Sequence, residues 1–336
     1  MVSTGQINIS IKDGKTTSSV ATPSHEDWNN ILKHQKATLH VTENAAKKEY
    51  LCQFKDFANQ IHKVTLKDRP GGTGIMYHGT QRHKIPASYY QSIGASPNMA
   101  KVLAFVSSNE GNFDAINSWD NAVFSFGFMQ FAGPYSLHTL LALIKYRAPH
   151  LFYDCFQRFG IDVEYRFRNN KFEGQQFVVM DPNTKKVYKD KDALQQFRDN
   201  KLLTCAFLRA GYDIEIAKLQ VLLAVAEYAN PALDRSLTIT TASGSKVTAP
   251  TASFIKSPAG ITALIDLAVN QGGGGVAKLF TNAISAIAKR DGLNTEAQLQ
   301  NIDEGAVLRQ IVKANPSDKR IVKRVGKALD NMSTAK

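Results

Sequence analysis

Apolar residues in this chain recur mostly at helical spacing, and the recurrence sharpens after residue 96. Met99, Val102, Leu103, Phe105 and Val106 form one stripe behind Ser96-Pro97, a cap followed by proline at the first helical position. Gly133-Pro134 opens a second helix with Leu137, Leu140, Leu141 and Ile144 on its core face, and Pro149–Phe159 predicts a third. Helices are further predicted at Ala193–Ala210, at Asp213–Tyr228 behind an Asp cap, and from Ser257-Pro258 to Val269, where Gly272–Gly275 stops the run. Two amphipathic helices, Ala277–Lys289 and Glu296–Lys313, and a basic one, Ser317–Asn331, complete the series.

Two stretches break this rhythm. From Val163 to Asp190 the run Phe177-Val178-Val179-Met180, the turn Asp181-Pro182-Asn183-Thr184 and Lys186-Val187-Tyr188 predict a β-hairpin inserted into the helical body. Ser236–Ser253 is rich in Ser and Thr and predicts a loop. Residues 1–75 are polar and weakly patterned. Within them Ile7–Ile11 suggests a short strand, and Ala45–Ile61 suggests a helix with Leu51, Phe54, Phe57, Ala58 and Ile61 on one face. The breaker cluster Arg69–Gly74 is the expected boundary, with 76–336 forming one domain. The fold class expected is mainly α, of the α+β kind.

Composition narrows the function classes. Apolar residues at 43% and charged residues at 21% describe a globular chain, not a disordered one. No stretch nears the ~18 apolar residues that span a bilayer, and the polar N-terminus predicts no Sec-type signal. The formal charge of +12 calls for a polyanionic partner, which charge alone does not choose. No zinc finger, RNP1 run or helix-turn-helix supports nucleic acid, and no partner of that kind is expected. Cys52, Cys155 and Cys205 lack CxxC spacing, so buried, inert thiols are expected rather than zinc ligands or a disulfide scaffold. His78, His83 and His138 show no metal spacing, and Gly272–Gly275 lacks the Lys-Ser/Thr of a phosphate loop. Neither metal nor cofactor is expected.

The segment Ser107–Gly133 carries the chemistry. A helix with an apolar face ends in Asn109-Glu110-Gly111, an Asn/Asp-rich loop follows, and an aromatic run closes on Gly127-Phe128-Met129-Gln130. A Glu at a helix end beside apolar and aromatic groups is in a setting that keeps its proton available, as glycosidic bond cleavage requires of its acid. Asp120 is either an Asx-turn residue or a water-positioning carboxylate, and Asp114 is a loop cap or the reserve candidate. Gln130 and Met129 either line a cleft or pack in a core.

This stretch resembles the goose-type lysozymes and lytic transglycosylases of the lysozyme superfamily. There a helix-terminal Glu is followed by a Gly-Leu-Met-Gln run, in whose place stands Gly127-Phe128-Met129-Gln130. Trp119-Asp120 is similar to the Asp-bearing loop of goose-type lysozymes. Ala268-Val269-Asn270-Gln271-Gly272-Gly273-Gly274 resembles the Ala-Tyr-Asn-x-Gly-x-Gly segment of the transglycosylases, with Val269 at the Tyr position. The resemblance implies a lysozyme-like helical body and a muramidase acting on peptidoglycan. Glu110 would be the acid, Asp120 the activator of water, and Gln130, Met129, Asn270 and Asp114 substrate contacts. Asn270 would hold a sugar N-acetyl group or close the Gly-rich turn.

Related chitosanases take a polycation that a charge of +12 would repel. A transglycosylase, a non-enzymatic wall-binding protein and a basic nucleic-acid binder are the alternatives. The setting implied is an antibacterial effector or phage lytic enzyme, made without a signal peptide and acting in the periplasm or wall of a target bacterium. Its partners would be peptidoglycan, a secretion apparatus and a cognate immunity protein.

Overall fold

The strand Glu49–Lys55 shows how local pattern is decided by burial in this protein. Tyr50, Cys52 and Phe54 point inward while Leu51 and Lys55 face out, a period of two. The strand pairs on both sides with antiparallel neighbours, Leu39–Asn44 and Ile61–Lys67. The helix expected over Ala45–Ile61 is therefore corrected to a turn and strand. Two members of its supposed apolar face, Leu51 at 37% and Ile61 at 61%, lie exposed.

The computed structural model describes residues 25–334 apart from 73, 97, 169 and 170. The strand expected at Ile7–Ile11 and the proline of the Ser96-Pro97 signal lie outside the described residues. Helix accounts for 55% and strand, in small sheets, for 20%, which places the chain in the α+β class. Among the described residues no helix is long and apolar enough to cross a membrane.

The chain divides into two units: residues 1–85 with 110–221, and residues 86–109 with 222–336. The Arg69–Gly74 cluster is thus not a boundary. It turns back on itself through the Arg69 N–H to the Gly74 carbonyl at 2.9 Å, and the Arg69 guanidinium lies 3.9 Å over the Trp119 ring. Gly74, at φ 96°, sits so close that a Cβ there would stand 2.4 Å from the Ser118 carbonyl oxygen.

In the first unit the helix His25–Thr38 buries Trp28 and Ile31, and its buried Gln35 donates to the Phe159 carbonyl at 3.0 Å. Phe207, on the helix Lys201–Ala210, is the centre of the core. Its ring lies 4.8 Å from Phe124, 5.0 Å from Phe197, 5.2 Å from Phe156 and 5.4 Å from Phe126. The same helix carries Cys205, bonded to Cys52, and Arg209, whose Nε donates to the Lys55 carbonyl at 2.8 Å. The expectation of three inert thiols is corrected accordingly. Two of the cysteines, 153 positions apart, close a disulfide that spacing does not reveal, and only Cys155 is a buried thiol.

The hairpin expected within 163–190 supplies two of the three strands of an antiparallel sheet, Ile161–Arg168, Lys171–Asp181 and Lys186–Lys189. Its turn forms as expected around Asp181, which accepts from the Asn183 N–H at 2.9 Å and the Thr184 hydroxyl at 2.8 Å.

In the second unit the helix Pro258–Asp291 is capped by Ser257, whose hydroxyl accepts from the Gly260 N–H at 3.0 Å. Gly272, at φ 70° and ψ 160°, is non-helical, so the span Pro258–Asp291 is two helices meeting at a kink, and the first stops where the glycine run was expected to stop it. Ser236–Thr240 and Lys246–Pro250 form a hairpin where a loop was expected, with Leu237, Ile239 and Ala249 turned into the core. The helices Glu304–Ala314 and Lys319–Thr334 add Leu308, Ile311, Ile321 and Val325 to that core. Buried Asp266 pairs with Arg324 at 2.6 Å.

Replacing Cys52 and Cys205 together by Ala removes a cross-link closing a very long loop. Unfolding stability should fall by about 2–4 kcal/mol under oxidising conditions. Thermal melts with and without reductant check this: reductant should lower the wild-type midpoint and leave the double variant unmoved.

Candidate active site

Glu110 is the last residue of the helix Met99–Glu110, whose Met99, Val102, Leu103 and Val106 are buried as the stripe predicts, while Phe105 is half-buried. Glu110 itself is half-buried. The chain leaves the helix through Gly111 at φ 151°, where a Cβ would meet the Ala115 methyl at 2.5 Å. A residue with a side chain would push the loop away from the helix end.

The loop that follows is held from two directions. The Asn112 N–H donates to the His78 carbonyl at 2.7 Å, the Asn112 side chain to the Gly79 carbonyl at 2.8 Å, and the Phe113 N–H to the Gln81 carbonyl at 3.1 Å. Asp114 is fully buried, and one of its oxygens accepts from the N–H groups of both Thr80 and Gln81 at 2.8 Å. Tyr77 donates to the other oxygen at 3.2 Å. Burial raises the Asp114 pKa against these bonds, which pull it down. Asp114 is therefore the loop cap among its two expected roles.

Four two-residue strands then form a small antiparallel sheet: Met76–Tyr77, Ile116–Asn117, Ser125–Phe126 and Phe131–Ala132. The last two are joined by the turn Gly127–Gln130. Gly127, at φ 83°, donates its N–H to the Ala115 carbonyl at 2.9 Å and leaves no room for a Cβ against the Gln220 carboxamide. Gln220 is fully buried and bridges the two halves of the site. Its carbonyl accepts from the Phe128 N–H at 3.1 Å, and its amide donates to the Phe113 carbonyl at 3.0 Å.

This arrangement brings Gln130 to the helix end. Its backbone is left-handed at φ 52°, and its amide donates to the Gly127 carbonyl at 3.0 Å. The same amide nitrogen lies 3.6 Å from where a Cβ on Gly111 would stand. Met129, one residue earlier, is fully buried and packs in the core rather than lining a cleft. Asp120, half-buried, occupies the loop between the second and third strands as an Asx turn. One oxygen accepts from the Ala122 N–H at 2.9 Å and the other from the Asn117 amide at 2.9 Å. Asn270 belongs to the second unit, in the turn before the Gly272 kink, and its amide donates to the Asp266 carbonyl at 3.0 Å. That bond runs back along the helix and not across the Gly-rich turn.

Of the expected residues, Glu110 and Gln130 are thus drawn to one helix end, Asp114 and Met129 build its support, and Asp120 is fixed in its own turn. Gln220 escaped the sequence reading because a lone Gln among the apolar residues of a helix has no spacing that marks it. Glu227 escaped it too. It lies, exposed as a residue, in the one-turn π-helix Val225–Ala229 of the second unit, where partial desolvation of its carboxyl raises its pKa from 4.5 to about 7. Among the described residues no group of three or more His, Cys, Asp or Glu could hold a metal ion.

Asp114→Ala would leave the Thr80 and Gln81 N–H groups without their shared acceptor. A loss of at least about 2 kcal/mol is expected in urea unfolding, and Asp114→Asn should recover part of it. For Glu227 the folded pKa of about 7 exceeds the unfolded value near 4.5, so stability falls as pH rises through that window. Glu227→Gln should therefore raise the melting temperature more at pH 8 than at pH 4, and equal shifts at both would refute the assignment.

No family model, curated protein or solved structure matches this chain, so the chemistry open to the site follows from its own side chains.

Proposed function

We propose that the chain cleaves the glycan strand of peptidoglycan between N-acetylmuramic acid and N-acetylglucosamine, as a muramidase with Glu110 as general acid. One observation carries this reading. A carboxyl ends a helix at Gly111, beside a turn that is locked by Gly127 and Gln220 and sets the Gln130 amide next to that glycine. A pre-set carboxyl protonates a leaving sugar oxygen without reorganisation, and a fixed amide beside it is suited to hold a sugar hydroxyl or N-acetyl group. Asp120, held by Asn117 and Ala122, would orient water on the opposite face, with the ~6.5–9.5 Å carboxyl separation of an inverting hydrolase.

The Cys52–Cys205 bond supports action outside the cytoplasm, because disulfides persist where surroundings are oxidising. Net charge of +12 supports an anionic wall as the substrate. An antibacterial effector or lytic enzyme, delivered to the periplasm or wall of a target bacterium and checked by an immunity protein, fits both. A second reading, lytic transglycosylase, is favoured by the Asx turn of Asp120, since both its oxygens already accept hydrogen bonds. In that case the substrate's own hydroxyl attacks.

Digestion of purified peptidoglycan with mass analysis of the products tests both. Reducing-end muramic acid is expected, and products lighter by one water would establish the transglycosylase instead. Glu110→Gln should cut the rate by at least ~100-fold with an unchanged melt. Wall digestion by this variant at the wild-type rate would remove Glu110 from the chemistry.

A further inference from the structure

The C-terminal helix Lys319–Thr334 carries Lys319, Arg320, Lys323, Arg324 and Lys327 against one acid, Asp330. At 3.6 residues per turn all five cations fall within an arc of roughly 140°. The opposite arc, Ile321, Val325 and Ala328, is buried in the second unit's core. Arg324, at the inner edge of the basic arc, is neutralised by buried Asp266 at 2.6 Å. Lys319, Arg320 and Lys323 are exposed, and Arg320 reaches Asp318 at 3.8 Å. Among the described residues neither Lys319 nor Lys323 has an ion-pair partner.

Lys319, Lys323 and Lys327 follow one another at i, i+4 and i+8, about 6 Å apart along the axis. Like charges at this spacing destabilise a helix. A polyanion laid along the stripe would reverse that repulsion.

We infer that the Lys319–Lys323–Lys327 stripe is a docking surface for the carboxylate-rich polymer of the bacterial wall, separate from the Glu110 site. The partner class rests on the proposed muramidase reading, together with what the helix lacks. Its apolar arc is already buried, so none is left to insert into a lipid surface. Residues 281–334 contain no Phe, Trp, Tyr or His, so this stretch itself supplies no stacking platform for the bases of single strands. What remains is a row of evenly spaced ammonium groups, Lys319 and Lys323 exposed and Lys327 half-buried, which suits repeated carboxylates read by charge rather than by shape.

The test uses the full chain carrying Glu110→Gln, so that the wall survives the measurement, and co-sedimentation with purified peptidoglycan sacculi. Adding Lys319→Gln, Lys323→Gln and Lys327→Gln should weaken binding roughly tenfold at low salt, the scale of three exposed charge contacts. The difference should vanish near ~0.5 M salt. The corresponding triple Lys→Arg variant should bind as its parent does, which separates lost charge from lost fold. Unchanged sacculus binding by the Gln variant overturns the inference, as does loss of binding by the Arg variant. A larger loss of affinity for a DNA duplex or for anionic phospholipid vesicles than for sacculi also overturns it. Charge-dependent wall binding without release of wall fragments by the unaltered chain would keep this surface and discard the muramidase reading.

Discussion

The first unit depends on one buried helix, Lys201–Ala210, from which Leu203 to Ala210 are all buried. A helix apolar nearly all round has no solvent face and must be enclosed by its neighbours. Phe207 gathers four aromatic rings from three other segments, and offset or edge-on ring contacts add specific geometry to the area they bury. Cys205 and Arg209, two residues to either side, fasten the N-terminal sheet. Gly211, just beyond, lets the chain pass so near Asp114 that a Cβ would stand 2.4 Å from its Cα. The loop following Glu110 is thus positioned from the core outward, through Gly211, Asp114 and the Thr80–Gln81 amides.

Where local chemistry is decisive, the sequence told the structure well. Ser257-Pro258, Asp213 and Gly133-Pro134 each open a helical segment as expected, and Asp213 accepts from the Glu215 and Ile216 N–H groups at 2.8 and 3.0 Å. Where partners are distant it told less. Leu51, Phe54, Phe57 and Ile61 satisfy a helical stripe, while Tyr50, Cys52 and Phe54 satisfy a strand. Only pairing with Leu39–Asn44 and Ile61–Lys67 decides between them. The Cys52–Cys205 bond was illegible for the same reason: it joins a strand to a helix by way of the whole intervening fold.

The candidate site divides along that line as well. Glu110 and Gln130 were legible because a helix end and a Gly-bearing turn leave local marks. The roles of Asp114 and Met129 were not, since a carboxylate in a polar loop and a Met beside aromatics look alike whether they face a cleft or a core. Asp114 is settled by two converging backbone amides and Met129 by complete burial.

The position of the Cys52–Cys205 bond has a topological consequence. The covalent ring it closes contains the helix end at Glu110, the small sheet and the turn that holds Gln130. A single proteolytic cut anywhere inside that ring opens a chain end but creates no second molecule. The nicked protein remains one covalent body for as long as its surroundings stay oxidising, and separates into two polypeptides only on entering a reducing compartment. Cohesion after a proteolytic nick and separation on reduction are thereby governed by the same pair of sulfur atoms.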